Sequence, residues 1–233
     1  MEVFVFAGSG QGSGRTTASL LLACGFFEMG LEPLLIQVLA TGEPPALRAD
    51  EEAPFETARL VLADASSIGS EIKDLAGRHT ELGPVIVDLP AQLFPEELLC
   101  DPRSRFLLPM MTDKAAIQRV VGDMLDVFGR DQPDGYARTW ILPTRWPSIL
   151  RREEYVAVLN RALARCGQGS SVTFHIIQPG GIPELYLGFE PILVEGRIVL
   201  SPLLMKAVAM IAYSVLRATG SSLIEFPENA FLQ

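Results

Sequence analysis

The chain has 233 residues, of which 48% are hydrophobic and 20% are charged. This length and composition fit one medium-sized α/β domain with a large core, and they exclude a chain that is disordered throughout. The formal net charge of −9 repels nucleic-acid phosphates, so nonspecific nucleic-acid binding is disfavoured. The three cysteines show neither a disulfide framework nor a metal-ligand spacing, and the N-terminus has no basic leader, so we expect a cytoplasmic location.

Short apolar runs alternate with helical patterns along the chain. In order, these patterns predict a strand at 3–7, a helix at 16–29, a strand at 33–39, a loop at 41–54, helical structure at 55–75 with a break at 66–70, strands at 84–87 and 106–110, a helix at 113–128, a strand at 139–142, a helix at 152–166, a strand at 172–177, a hairpin at 192–200 and a helix at 202–219. The alternation predicts a doubly wound, mostly parallel sheet flanked by helices. We expect one domain over residues 1–233, with an irregular tail from about residue 220.

A glycine-rich segment follows the first predicted strand and opens the first predicted helix. Four glycines occupy alternate positions from Gly8 to Gly14. Glycine permits positive φ angles and close backbone approach, so backbone N–H groups can converge on an anion beside the positive end of the helix dipole. A turn without a ligand needs only one or two glycines. The segment therefore predicts a phosphate-binding loop, with a plain strand-to-helix turn as the alternative.

Two glycine motifs distinguish the kind of nucleotide site. The dinucleotide motif G-x-G-x-x-G fits in no register, because its third glycine always falls on another residue type. The P-loop motif G-x-x-x-x-G-K-[ST] fits at Gly14 and Thr16, whereas its first glycine falls on Ser9 and its lysine on Arg15. The segment is therefore close to a P-loop.

From residue 3 to residue 38, the chain resembles the start of the ParA/MinD branch of P-loop ATPases. The phosphate loop of that family runs S-G-K-G-G-x-G-K-T-T, and this chain has G-S-G-Q-G-S-G-R-T-T in register. The run V-I-V-D-L-P at 85–90 resembles the family's strand ending in D-x-P, whose aspartate lies near the nucleotide's magnesium. The runs at 106–109 and 141–145 fall where later strands of the family end, so the similarity spans most of the chain.

The resemblance implies a P-loop NTPase-like fold that binds ATP or ADP together with Mg²⁺. Under it, the hydroxyl of Thr16 and the carboxylate of Asp88 would be the protein's magnesium ligands. The alternative roles are a helix-opening threonine and an acid that caps a turn. The implied nucleotide-binding residues are Gly10, Gln11, Gly12, Ser13, Gly14, Arg15, Thr16 and Thr17.

Three departures from the family pattern bear on catalysis. The signature lysine, which reaches the partner's nucleotide across a dimer, falls on Gly10, and the loop lysine falls on Arg15. Arginine is a planar fork that can pair with phosphate oxygens but does not reproduce the compact charge of lysine. The family's second strand ends in a D-x-D pattern, and this chain has Gln37, Val38 and Leu39 at that place, with no carboxylate. Losing a positioned acid–base group costs about 10²–10⁴ in rate, and losing a cross-dimer cation costs about 10³–10⁵. We therefore expect weak ATP hydrolysis.

The resemblance implies a nucleotide-gated switch in partition, positioning or the assembly of a macromolecular machine, acting as a homodimer or on a protein partner. A pseudo-ATPase that serves as a scaffold or adaptor is the alternative of a different class. A small-molecule kinase or synthetase ranks third, because only Asp88 is a candidate acid near the strand ends. Peripheral membrane attachment is disfavoured, since the tail after residue 219 lacks lysine and arginine.

The two histidines, His79 and His175, give no indication of a catalytic base or a zinc site. Neither has a nearby cysteine or paired acid in the sequence. His175 lies within an apolar run, which favours a packed core histidine. The chain also has no G-x-S-x-G segment, so a serine hydrolase triad has no support.

Overall fold

The computed structural model describes most of the chain up to residue 146 and the helix near the C-terminus. The described residues are 1–10, 12–42, 53–79, 83–111, 113–127, 136–146, 157, 161, 175–177, 182–183, 193–194, 197–198 and 202–223. The predicted helix at 152–166, most of the predicted loop at 41–54 and the predicted irregular tail lie largely outside these residues.

Strands and helices alternate as the apolar patterning predicts. The strands are β1 (Val3–Phe6), β2 (Leu34–Leu39), β3 (Glu56–Val61), β4 (Val85–Asp88), β5 (Ser104–Met110), β6 (Thr139–Trp146), β7 (His175–Ile176), β8 (Ile182–Pro183), β9 (Leu193–Val194) and β10 (Arg197–Ile198). The helices are α1 (Arg15–Glu28), α2 (Ile68–Arg78), α3 (Glu96–Leu99), α4 (Lys114–Asp126) and α5 (Pro202–Thr219), with a 3₁₀ turn at Tyr136–Arg138.

The main sheet is parallel and has β1 at its centre. Its strand order is β3-β2-β4-β1-β5-β6-β7, and β8 pairs with β6. Every described pairing in this sheet is parallel, whereas β9 and β10 form a separate antiparallel hairpin. The chain crosses from β4 to β5 over β1, so the carboxyl end of β1 lies at a switch point of the topology. Ligands of open α/β sheets bind at such points.

Two apolar cores cover the two faces of this sheet. Successive residues of β1 point to opposite faces: Val3 and Val5 belong to the core that includes α2 and α4, and Phe4 and Phe6 belong to the core that includes α1 and α5. All side chains of β1 are buried, which explains why the strand is a continuous apolar run. The doubly wound architecture predicted from the sequence is confirmed.

Helix α1 packs closely against α5. All nine residues from Ala18 to Phe26 are buried, so α1 is enclosed on all sides. Gly25 makes this approach possible, because a Cβ there would collide with the backbone carbonyl of Val208 and come within 2.7 Å of the Cβ of Ala212. In the part of the chain that the structure describes, no helix combines the length and apolar character needed to cross a bilayer.

The helix predicted at 55–75 is wrong in its first half. Residues Glu56–Val61 form β3, which pairs with β2 along its whole length, and α2 begins only at Ile68. As an edge strand, β3 is half exposed along most of its length. Its apolar residues are therefore interrupted by polar ones, which obscured the period of two that identifies a strand.

The expectation that His175 is a packed core histidine is also wrong. His175 is exposed on β7, at the edge of the described sheet. Its ring lies against Trp140, with a centroid separation of 5.9 Å. An edge strand leaves one side open to solvent, so an apolar sequence context did not ensure burial.

We predict that Gly25→Ala lowers the free energy of unfolding by about 1–3 kcal/mol, because the added methyl group must push α1 and α5 apart. Urea unfolding followed by circular dichroism measures this change. The control is Gly77→Ala in α2, where a Cβ meets no atom within 4 Å. That substitution should stabilise the helix by up to about 1 kcal/mol. A Gly25→Ala protein as stable as the wild type would contradict the packing described.

Candidate functional site

The turn between β1 and α1, residues Gly8–Gly14, is called the glycine-rich loop below. Gly12 and Gly14 have φ angles of 68° and 82°, in the left-handed region that side chains other than glycine seldom adopt. Gly14 caps α1 without any side-chain hydrogen bond, and the first turn contains no acidic residue. The N–H groups of that first turn have no partner within the helix, so an anion is the natural ligand for this end of α1.

The residues predicted to bind phosphate lie together at this turn. Gly10 and Ser13 are buried, Gly12 is exposed, and the four residues from Gly14 to Thr17 are intermediate in exposure. Gln11 lies outside the described residues. The hydroxyl of Ser19, two residues beyond Thr17, donates to the carbonyl of Thr16 at 2.9 Å. The first turn of α1 is therefore held by its own polar contacts.

Arg15 folds back onto the start of the loop. Its Nη1 donates to the carbonyl of Gly8 at 2.7 Å. The same carbonyl accepts the N–H of Gln92 at 3.2 Å, and Gln92 itself adopts a φ of 66°. In this structure, the guanidinium lies at the base of the loop and stabilises it. To contact a phosphate bound within the loop, the Arg15 side chain would have to leave that carbonyl.

Helix α4 supplies two charged residues that sequence reasoning missed. Asp123 is 7% exposed, and its Oδ2 accepts the backbone N–H of Ser9 at 2.9 Å. Arg119, one turn earlier, places its Nε 3.2 Å from where a Cβ of Gly10 would lie. One signal in the sequence could have revealed Asp123: it continues the buried stripe of Ala116 and Val120, where an acid is out of place.

The groups around Asp123 shift the pKa of its carboxyl in opposite directions. Burial is the largest influence and raises the pKa of the Asp123 carboxyl above its ordinary value. The negative charge of Asp126 raises the same pKa further. The backbone and side chain of Ser9 and the positive charge of Arg15 lower the same pKa, with a smaller combined effect. The carboxyl therefore retains its proton more readily than an exposed aspartate.

Asp88 lies at the carboxyl edge of the sheet beside the loop. It ends β4, is 7% exposed, and is paired in register with Phe6 at the end of β1. On its other side it is paired with Gln37, which is 2% exposed. The neutral amide of Gln37 therefore occupies the strand position beside Asp88, near where the resembled family places its aspartates.

Thr16 and Asp88 have the ligand chemistry that a magnesium ion bound together with phosphate oxygens would require. Among the residues that the structure describes, no three His, Cys, Asp or Glu side chains are grouped closely enough to hold a metal ion. Mg²⁺ commonly takes one or two protein ligands and completes its shell with phosphate oxygens and water. Asp88 at the strand end and Thr16 in the first turn of α1 match that requirement.

Thr144 of β6 is a third residue at the loop, and the sequence analysis gave it no role there. Its hydroxyl donates to the carbonyl of Ser13 at 2.9 Å, and the side chain is 2% exposed. A Cβ on Gly14 would lie 3.9 Å from the Cβ of Thr144. The end of β6 thus supports the loop at the point where α1 begins.

Comparison with solved structures adds relatives of the same architecture. MinD cell division protein from Aquifex aeolicus is 16% identical, with 97% of this chain and 100% of that chain covered and a TM-score of 0.57. The chain has the fold of the ParA/MinD-type P-loop ATPases. The structure of pNOB8 ParA bound to nonspecific DNA is 15% identical over 94% of this chain and 98% of that chain, with a TM-score of 0.60.

An enzyme shares the ParA/MinD-type fold as well. Cobyrinic acid a,c-diamide synthase from Mycobacterium smegmatis, solved with ADP and magnesium, is 16% identical over 95% of this chain and 96% of that chain, with a TM-score of 0.53. No protein-family model and no curated protein sequence matches the chain. Identities this low establish the fold, and the chemistry must be argued from the site.

We predict that Thr144→Val lowers the free energy of unfolding by about 1–3 kcal/mol, because the buried carbonyl of Ser13 loses its donor. Valine has nearly the same shape as threonine, so packing is kept. The control is Thr41→Val, whose hydroxyl donates to the carbonyl of Leu62 at 3.1 Å on the exposed surface. There water replaces the bond, and the change should stay within about 0.5 kcal/mol. Equal effects in urea unfolding would show that Thr144 does not brace the loop.

Proposed function

We propose that the chain binds ATP or ADP with Mg²⁺ at the glycine-rich loop and acts as a nucleotide-gated switch. The observation that carries the proposal is the N-terminus of α1, which Gly14 caps without a side-chain hydrogen bond. It lies at the carboxyl edge of a ParA/MinD-type sheet, where Asp88 ends the neighbouring strand. An anion at this point would be bound by N–H groups and by the helix dipole. Asp88 and Thr16 would hold the metal, which when bound neutralises phosphate charge.

Related structures support a nucleotide ligand and a protein partner. An aspartate-to-alanine variant of McdA from Cyanothece was solved as a complex with ATP, and MinD from Aquifex aeolicus was solved in complex with MinC. We infer a similar use here, in which the nucleotide state sets the affinity for a protein partner or a second copy of the chain. The net charge of −9 argues against the nonspecific DNA binding seen for pNOB8 ParA.

A pseudo-ATPase scaffold remains the second candidate, because the loop is already braced without a ligand. Arg15 bonds to Gly8, and Thr144 bonds to the carbonyl of Ser13. A loop stabilised in this way can persist in a protein that uses the fold only for docking. Nucleotide binding therefore separates the two candidates.

We predict that MgATP raises the thermal stability of the protein, by about 2.7 kcal/mol at a concentration of 100 Kd. Arg15→Ala should weaken MgATP binding about tenfold or more, because a charge-assisted contact with phosphate is lost. Differential scanning fluorimetry and calorimetric titration measure both effects. Arg78→Ala is the control, since Arg78 ends α2, at the opposite edge of the sheet. Absence of any shift with ATP or ADP would favour the scaffold.

We predict slow ATP turnover, at least about 10²-fold below that of a ParA/MinD-type ATPase that has the missing lysine and aspartate. Gly10 offers no cation, and Gln37 offers no carboxylate to orient water. A coupled phosphate-release assay with both proteins side by side measures the difference. Turnover equal to that of the reference enzyme would refute the assignment of weak hydrolysis.

A further inference from the structure

The side chain of Arg119 lies over the glycine-rich loop. Arg119 is in the second turn of α4, and its Nε would lie 3.2 Å from a Cβ on Gly10, with its Cδ at 4.0 Å. The Cβ of Ser13 would lie 3.7 Å from the same point. Arg119 and Ser13 therefore approach Gly10 from the same side, next to Gly14, where α1 begins.

Glycine at position 10 leaves the space that the arginine occupies. Gly8, Gly12 and Gly14 have positive φ angles, whereas Gly10 does not, so the backbone conformation does not explain a glycine at this position. A Cβ only 3.2 Å from Nε of Arg119 would push the arginine aside, because side-chain atoms rarely pack so closely. Room for Arg119 is therefore what the glycine at position 10 provides.

The guanidinium of Arg119 forms no hydrogen bond or ion pair with any residue that the structure describes, and its side chain is exposed. The other charged groups at the loop are engaged. Arg15 donates to the carbonyl of Gly8 at 2.7 Å, and Asp123, one turn after Arg119, accepts the N–H of Ser9 at 2.9 Å. Arg119 can meet an anion without first leaving a described partner, whereas Arg15 cannot.

An anion at the start of α1 needs positive charge close by, because the chain as a whole carries a net charge of −9. That charge repels a phosphorylated ligand at long range, and a cation near the site offsets the repulsion locally. The first turn of α1 supplies N–H groups and a partial positive charge. A guanidinium adds a full charge and a planar fork that matches phosphate oxygens. Arg119 brings that group to the side of the loop where α1 begins.

We propose that Arg119 is a phosphate-binding residue of the glycine-rich loop, and that glycine is needed at position 10 because a side chain there would displace this arginine. The role rests on the proposed function and deepens it, because it assigns recognition of the phosphate groups of the nucleotide to a residue of α4. Arg119 donates to phosphate oxygens and takes no part in proton transfer.

The first test compares Arg119→Gln with Arg119→Lys in calorimetric titrations with MgATP and with MgADP. Arg119→Gln removes the charge and should weaken binding about tenfold or more, because a charge-assisted hydrogen bond is lost. Arg119→Lys keeps the charge without the planar fork, so its affinity should lie between those of Arg119→Gln and the wild type. The difference between the wild type and Arg119→Gln should shrink at high salt, since salt screens the lost attraction.

Gly10→Ala tests the second part of the proposal. The backbone of Gly10 accepts an alanine, since its φ is not positive, and the exposed Arg119 side chain can swing away from the new methyl group. Gly10→Ala should weaken MgATP binding in the wild type and have little further effect when combined with Arg119→Gln. Additive losses in the double variant would show that the methyl group acts on the ligand directly, which would overturn the role given to Gly10.

Arg217→Gln is the matched control, because Arg217 is an exposed arginine in the last turn of α5 and the substitution changes the net charge by the same amount. This end of α5 lies far from the loop, where the carbonyl of Ala218 accepts the Nε1–H of Trp140 near the start of β6. The affinity of Arg217→Gln for MgATP should equal that of the wild type. Urea unfolding of each variant verifies the fold.

The outcomes separate the role of Arg119 from the proposed function. If the wild type binds MgATP and a folded Arg119→Gln binds it equally well with the same salt dependence, the role of Arg119 is refuted and nucleotide binding stands. If Arg119→Gln loses about tenfold or more in affinity while Arg217→Gln loses none, the role is supported. If the wild type binds neither MgATP nor MgADP, the proposed function is refuted, and the role of Arg119 is refuted with it.

Discussion

Hydrogen bonds from other segments of the chain hold two carbonyl groups near the two ends of the glycine-rich loop. The carbonyl of Gly8 accepts from Gln92 and Arg15, and the carbonyl of Ser13 accepts from Thr144. These donors come from the segment after β4, from α1 and from the end of β6. A loop whose ends are restrained loses less conformational entropy when it binds a ligand.

The architecture explains why these segments meet at one place. β1 lies between β4 and β5, and parallel strands bring their carboxyl ends to the same edge of the sheet. The apolar cores on the two faces hold α1 and α4 against that sheet. The enclosed packing of α1 keeps its N-terminus in place, whereas α4 contributes Asp123 to the loop from the opposite face. The same edge therefore receives the N-terminus of α1 and a buried acid.

The parts of the site that were predicted are those with a local signature. The loop directly follows the buried strand β1 and Asp88 ends the buried strand β4. Their positions follow from the strand pattern, and the magnesium role of Asp88 is what the family resemblance implies. Ser9 and Asp123 are 114 residues apart, and Ser13 and Thr144 are 131 residues apart. No local spacing in the sequence predicts contacts over such separations. β3 was missed for another reason, because an edge strand with one open face lacks a clear apolar period.

The amino-acid sequence alone specified the alternation of strands and helices, the doubly wound sheet and the glycine-rich turn after β1, since each of these depends on the order of neighbouring residues. The folded chain settled what surrounds that turn. In the folded chain, Arg15 donates to the carbonyl of Gly8, and Asp123 is buried against Ser9. The fold also left His175 exposed on β7. These outcomes depend on which distant segments pack together, and packing between segments is governed by the complementarity of whole faces.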